Sequence, residues 1–233
     1  MQNYVVFHLH SDLSNGVTNI DSVTKYEQYI KYAQSLGMTA IGFSEHGSIF
    51  EHIKKRQLCE SFGIKYIHGE EFYLTETLSE KLKDNYHIVI MAKNYQGYLE
   101  LNRLSSIAFN RAKVKTIGDN EHFYYVPRIT FDELCNISDN LILSTACLGG
   151  VLNKAENNFK EKFIELLVAH KENCFLEIQH HNNQRQIIYN KYLYELSKKY
   201  GIRLIAGTDT HCLNERHAKG RVMLQKSKNI YFA

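Results

Sequence analysis

The sequence predicts an α/β barrel, closed or nearly so, made of seven strand–helix repeats. Three observations lead there. Short apolar runs rich in Val, Ile, Phe and Tyr alternate with longer stretches of helical periodicity. Such alternation argues for a parallel sheet. Glycine stands just past three helical stretches, at Gly37, Gly63 and Gly201, where helices commonly end. Seven repeats within 233 residues favour a barrel over an open doubly wound sheet.

The elements follow in order. Tyr4–His10 reads as the first strand. Asp21–Leu36 places Val23, Tyr26, Tyr29, Ile30 and Ala33 at helical spacing before Gly37. Met38–Ser44 is the second strand, and Ser48–Phe62 is a helix closed by Gly63. Ile64–Leu74 and Tyr86–Lys93 are the third and fourth strands, and Gln96–Ala112 is helical. Leu141–Thr145 is strand five, Lys160–Lys171 a helix, Cys174–Gln179 strand six, Gln184–Tyr200 a helix and Arg203–Thr208 strand seven. Lys113–Thr130 breaks the rhythm and reads as an inserted loop. With no Gly-, Ser- or Pro-rich linker and no repeat, residues 1–233 read as one domain.

Composition narrows the function. At 44% hydrophobic and 23% charged, the chain has an ordinary globular balance. A net charge of +3 argues against a tail that coats nucleic acid and leaves room for a local basic patch. Five cysteines without a C-x-x-C pair exclude a disulfide framework and a zinc finger. No basic segment precedes an apolar run at the start, and no run nears the roughly 18 residues of a membrane span. The expectation is a cytoplasmic chain without a membrane partner.

The stretch FHLHSDLSNG carries the first chemical signal. His8 and His10 lie two apart at a strand end, so both imidazoles face one side. Barrel sites form where the C-terminal ends of strands converge, and nearly every predicted end carries a ligand-type residue. These are Glu45 and His46, Glu70 and Glu71, Cys147, His180 and His181, and Asp209 and His211. His87 falls at the opening of its strand, the opposite end. Asp209 and His211 repeat the i, i+2 spacing. Mixed imidazole and carboxylate donors suit Zn²⁺, Mn²⁺ or Fe²⁺, and the thiol of Cys147 tilts the set toward zinc. There are too many candidates for one tetrahedral ion. Two or three ions, with Glu71 bridging, would use them.

The motifs HLHSD, SEHG, GEEFY, YHIVIMAKN, TACLGG and DTHCLN, in that order, resemble the PHP (polymerase and histidinol phosphatase) domain. They are most similar to the PHP domain at the N-terminus of bacterial DNA polymerase III alpha subunits. The resemblance covers essentially the whole chain. It implies a distorted (β/α)7 barrel with up to three metal ions at the C-terminal face of the strands, which brings His87 to that face. Carried over by position, it implies metal ligation by His8, His10, His46, Glu71, His87, Cys147, Asp209 and His211. Asn15 stands where the family carries an Asp or His, and Asp12 or Asp21 can substitute. The implied grouping is His8, His10, Glu71 and Asp209 on one ion; Glu71, His87 and Cys147 on a second; and His46 and His211, with Asn15 or its substitute, on a third. Residues 214–233 resemble the exit toward a polymerase module.

The implied activity is phosphoester hydrolysis, in polymerase-associated form a 3′→5′ exonuclease on single-stranded DNA ends, with Glu71, Asp209 and His211 catalytic. Arg103, Arg111, Lys113, Lys115 and Arg128, near Tyr124 and Tyr125, are candidates to seat the strand; a solvated basic loop is the plainer reading. A PHP module that only braces a replicative polymerase, and a small-molecule phosphatase of the histidinol-phosphate type, are the alternatives. Glu45 and Glu70 are expected to point away from the site. His180 and His181 are open between pocket and surface. His52, His68, His122, His170 and His217 read as solvent-facing or helix residues, and Cys59, Cys135, Cys174 and Cys212 as packing thiols.

Overall fold

The computed structural model describes residues 4–18, 20–78, 82–110 and 125–228. Its strands are β1 (Ala40–Phe43), β2 (Lys65–Thr75), β3 (Tyr86–Ala92), β4 (Arg128–Thr130), β5 (Leu141–Ser144), β6 (Cys174–Gln179) and β7 (Arg203–Gly207). They form one curled sheet in the order β1-β2-β3-β5-β6-β7, with β4 branching from β2. The helices are α1 (Tyr26–Ser35), α2 (His52–Ser61), α3 (Tyr95–Phe109), α4 (Phe131–Cys135), α5 (Val151–Lys154), α6 (Asn157–Ala169), α7 (Gln184–Tyr200) and α8 (Glu215–Ser227).

Three expectations need correction. The sheet is not all parallel, because β3 runs antiparallel to both β2 and β5. Ten residues, 76–85, separate β2 from β3, and a parallel return needs a crossover of a dozen or more. The first predicted strand is an extended segment with one isolated bridge, Leu9 to Thr210, rather than a ladder. It nevertheless serves both edges of the sheet. Gly42 N donates to Val6 O at 2.8 Å and Ser44 N to Leu9 O at 3.0 Å, while His10 N donates to Thr210 O at 2.8 Å. Finally, the inserted segment supplies β4, which pairs in parallel with the end of β2.

Strand alternation sorts side chains between two sides of the sheet. On β2 and β3, Ile67, Glu71, His87, Val89 and Met91 face inward, and Glu70, Phe72, Leu74, Ile88 and Ile90 face the helices. Phe7, Val89, Met91 and Ala146 form a small inner cluster with Ile67, Ile142 and Ile205 against them. The larger core lies outside the sheet, where Phe72, Ile88, Leu101, Phe159, Phe163 and Leu193 are fully or almost fully buried. A third cluster, including Leu9, Ile30, Ile41 and Phe43, packs the N-terminal segment on β1. Helix α7 matches its predicted bounds. Its C-cap, Gly201, has φ +70, a left-handed turn at little cost only to glycine.

A buried ion pair locks the N-terminal segment in place. Glu45, just past β1, accepts from Lys55 Nζ of α2 at 2.6 Å, from Ser11 N at 2.9 Å and Ser11 Oγ at 2.5 Å, and from Ser14 Oγ at 2.6 Å. Lys55 is 1% exposed, with its ammonium 4.8 Å from the centre of the Phe43 ring. Removing one partner would strand the other charge in the core. Lys55→Ala should therefore cost on the order of 3–5 kcal/mol, read as a lowered urea midpoint. A double variant with Glu45→Gln should lose less than the two single losses added together.

Candidate metal centre

Five segments bring their side chains to one rim. The N-terminal segment contributes His8 and His10, the loop after β1 gives His46, β2 gives Glu71, and the loop after β7 gives Asp209 and His211. The antiparallel run of β3 resolves the placement of His87: the opening of that strand lies at the same rim as the closing ends of its neighbours. Residue 209 adopts φ +46 and Ala146, next to Cys147, φ +55. Non-glycine residues rarely hold such angles, which cluster at functional sites.

Glu71 is the centre. It is fully buried, and its two oxygens face different imidazoles. Oε1 lies 3.3 Å from His8 Nε2 and 3.0 Å from His87 Nδ1; Oε2 lies 3.3 Å from His10 Nε2 and 2.8 Å from His46 Nδ1. Asp209 Oδ1 is 3.3 Å from His8 Nε2 and 3.2 Å from His10 Nε2. Asp21 Oδ2 is 3.1 Å from His211 Nε2 and 3.4 Å from His46 Nε2. Ligand-type atoms thus gather in three groups: His8, His10 and Asp209; His46, Glu71 and His87; and His10, Asp21, His46 and His211. Cys147 Sγ borders the second group, 3.5 Å from His87 Nδ1 and 3.9 Å from Glu71 Oε1.

Hydrogen bonds behind the rim hold the rings. His8 Nδ1 donates to Glu177 Oε1 at 2.6 Å, His10 Nδ1 to Ser14 Oγ at 3.2 Å, and His211 Nδ1 to Asp209 O at 2.8 Å. Each bond leaves Nε2 aimed into the centre, where its lone pair becomes available to a cation once the ring gives up its proton, the arrangement of ligating histidines. Glu177 is also held by Ser144 Oγ at 2.7 Å and Gln179 Nε2 at 2.9 Å. On the other side, six buried atoms have no hydrogen-bond partner and converge here: His8 Nε2, His10 Nε2, Asp21 Oδ2, His46 Nδ1, Glu71 Oε2 and Asp209 Oδ1. Buried polar atoms are ordinarily satisfied. Lone pairs of imidazole and carboxylate, left unpaired around a common centre, fit divalent cations.

The electrostatics agree. Burial alone would raise Glu71, but the imidazoles of His87, His46 and His8 hold its carboxyl well below the usual range. Burial likewise opposes charge on Asp209, and His8 and His211 outweigh it. Burial and the neighbouring His46 and His211 lower His10 to about 4. Against the pull of burial, Glu71 leads the acids that lift His46 to about 9. Without cations, protons on the imidazoles balance the ionised acids; binding a metal would displace those protons.

Some expected participants lie elsewhere. Asn15 stays out of the clusters because its side chain is committed to the backbone: Oδ1 accepts from Asp21 N at 2.5 Å and Ser22 N at 3.2 Å, and Nδ2 donates to Ser22 O at 2.7 Å. It thereby presents Asp21, which enters the third group in its stead. Asp12 heads a short 3-10 turn and joins none of the three groups. Glu45 and Glu70 point away, as expected. His180 and His181 stack on each other, 5.2 Å between ring centres, outside the clusters. His68 is buried rather than solvent-facing, with Nε2 2.8 Å from Asn102 Oδ1. Cys135 is exposed, not a packing thiol. Arg128 is 3% exposed and bound to Asp84 Oδ1 at 2.7 Å and to the carbonyls of Leu82 and Asp84, so its guanidinium is closed to a strand. Arg103 is exposed on α3, and Arg111, Lys113, Lys115, His122 and Tyr124 lie outside the described residues. Glu177 went unnoticed in the sequence, although an acid inside the apolar run CFLEIQ was its signal.

Residues 7–181 match the PHP domain family. The DNA polymerase III subunit alpha of Aquifex aeolicus is 33% identical over 99% of this chain, which spans 20% of that relative. The chain thus spans about a fifth of the length of the curated relatives it matches. A protein of Bifidobacterium adolescentis, provisionally described as a metal-dependent phosphoesterase, has a similar fold at TM-score 0.55 and 10% identity, covering 96% of this chain and 97% of its own. An amidohydrolase of Chromobacterium violaceum, solved with sulfate and no metal, is similar at TM-score 0.57 and 13% identity, covering 91% and 88%.

A Cβ on Gly207 would overlap the Glu177 carboxylate. Gly207→Ala should therefore push Glu177 off His8 Nδ1 and weaken metal binding about 10- to 100-fold, the usual effect of losing such a partner. Titration of chelator-stripped protein with Zn²⁺ or Mn²⁺ measures it, and Glu177→Gln should move affinity in the same direction.

Proposed function

The chain belongs to the PHP domain family, and we propose that it is a divalent-metal-dependent phosphoesterase that removes nucleotides from the 3′ end of single-stranded DNA. The observation that carries this reading is the convergence of six unpaired, buried donor atoms on one rim. Two or three ions of Zn, Mn or Fe would occupy the three groups. His8, His10, Asp209 and Glu71 would hold one. Glu71 and His87 would hold another with Cys147, and Asp21, His46 and His211 a third. Bound ions of this kind supply a water of lowered pKa and a positive field for the phosphoryl oxygens.

The chain's own residues prepare the place for that chemistry. Glu71 turns one oxygen to His8 and His87 and the other to His10 and His46, tying neighbouring groups at a fixed spacing. Asp209 balances His8 and His10 and, through its carbonyl, sets the ring of His211. His211 and Asp209 are 16% exposed in their side chains, whereas Glu71 and His8 are sealed. A phosphodiester approaching from solvent would meet that exposed side first. Glu71, Asp209 and His211 are accordingly the residues on which turnover would depend. A DNA substrate and a replicative polymerase as partner are favoured because relatives that match over nine-tenths of the chain or more are polymerase alpha subunits.

Protein purified without chelator should carry two or three divalent ions per chain by elemental analysis. It should shorten a 3′-labelled single strand, and Glu71→Gln should lower that rate by at least about a hundredfold, as loss of a central electrostatic group does. Full ion content with no cleavage of DNA would leave a bracing role. Cleavage of a phosphomonoester but not of DNA would mark a small-molecule phosphatase.

A further inference from the structure

On the outer face of the sheet, away from the rim, α2 and α3 part over β2 and leave a cavity of about 290 Å³. Rings line it in a continuous cluster. Tyr98 lies 4.8 Å from His68 and 5.7 Å from His52 between ring centres, and Tyr95 stacks beside Tyr98 at 5.9 Å with 13° between planes. Tyr66 closes the row, 5.9 Å from His68. Tyr95 is 67% exposed, an unusual position for a large ring without a partner surface.

The charge is one-sided. Arg56, Lys65 and Lys93 border the cavity, and none of its lining residues is acidic. Lys65 opens β2 on the same side as Ile67 and Glu71, and its backbone N donates to Thr39 O at 2.9 Å. Among the described residues Arg56 pairs with Glu60, at 3.6 Å. Lys93 is held by Asp139 O and Asn173 Oδ1, which fixes its charge at the edge. The polar atoms of the rings are largely used internally: His52 Nε2 with Tyr98 OH at 2.9 Å, and His68 Nε2 with Asn102. Burial, with His52 and Lys55 adding to it, lowers His68 to about 4, so its ring is neutral at physiological pH. The cavity therefore offers faces and positive charge but few free edges. That combination recognises an anion attached to a flat π system, without reading which base it is.

We propose that this groove is a second nucleotide site, in which a base of single-stranded DNA stacks on Tyr95 and Tyr98 while Arg56, with the charge of Lys93 at the edge, holds its phosphate. It deepens the reading of the rim as a site for DNA ends and, for its substrate class, rests on that reading. Tyr66, which lines the groove, stands five positions before Glu71 on β2, about 17 Å at the strand rise. The groove would thus hold the strand several nucleotides from the end being cleaved, and would favour longer strands over dinucleotides.

The test is fluorescence titration with labelled (dT)12 in the Glu71→Gln background, so that the strand is not consumed. Binding should weaken linearly as log salt rises. Tyr95→Ala with Arg56→Glu should weaken it at least about tenfold, within the range for loss of a stacked base and a phosphate contact. Added dTMP should compete if a single nucleotide suffices; competition only by longer strands would assign the site to a polymer. In the otherwise unaltered chain the same pair of changes should leave hydrolysis of a small chromogenic phosphoester unchanged. Equal binding by variant and parent, or no binding by the parent, would overturn the groove. Binding that is lost in the variant, from a chain that hydrolyses no phosphoester, would keep the groove and overturn the rim activity.

Discussion

A carboxylate cut off from water cannot keep its charge without positive neighbours, and Glu71 is such a group. Its burial sets the terms for everything near it. Four imidazoles stand within 3.3 Å of its two oxygens, and each comes from a different place in the chain or a different side of the oxygen pair. Isolated burial of an ionised carboxyl would be prohibitive. The rim is stable only as an ensemble of opposite charges, with protons or cations closing the balance. This is why the same acid can order the site and bridge its groups.

The layer behind the rim decides what those imidazoles can do. Glu177, Ser14 and the Asp209 carbonyl each accept from the Nδ1 of one ring, so it is Nε2 that faces the centre, ready to exchange a proton for a cation. Ser14 does this while donating to Glu45 and accepting from His46 N at 3.1 Å. Glu45 is in turn neutralised by Lys55. A buried pair of full charges on the helix side thus sets the orientation of His10, one hydroxyl away. Gly149 has a comparable steric role: a Cβ there would press on the His87 ring, which gives the glycines of TACLGG a physical reason.

Much of this was legible in the sequence where one local rule decided the outcome. Gln184–Tyr200 has helical spacing and a glycine stop, and no tertiary contact overrode them. His8, His10, His46, Asp209 and His211 sit outside or just past the strands, and Glu71 inside an otherwise apolar stretch of β2, where ligand-type residues have little packing reason to be. What escaped depended on partners far along the chain. His87 looked misplaced because strand direction is fixed by the length of a connection, not by the strand's own residues. Asn15 and Asp21 are both polar residues of one loop, and only the folded backbone shows that the amide is spent inside it while the acid is delivered. Arg128 resembled a free cation until Asp84 and two carbonyls enclosed it. The pairing of Tyr4–His10 was invisible because its partners lie on two edges that the sequence places about 35 and 200 residues away.

That last feature has a temporal meaning. The segment bearing His8 and His10 is made about 200 residues before one of its two neighbours, the stretch around Thr210. Contacts spanning such a separation carry a high loop-closure cost and form slowly. The barrel halves can gather around their own apolar clusters early, but the cation-binding rim has to wait for the final docking step. During synthesis the chain therefore passes through a long interval in which His8 and His10 are present and the rim they share with Asp209 and His211 is not, and that rim arrives only with topological closure.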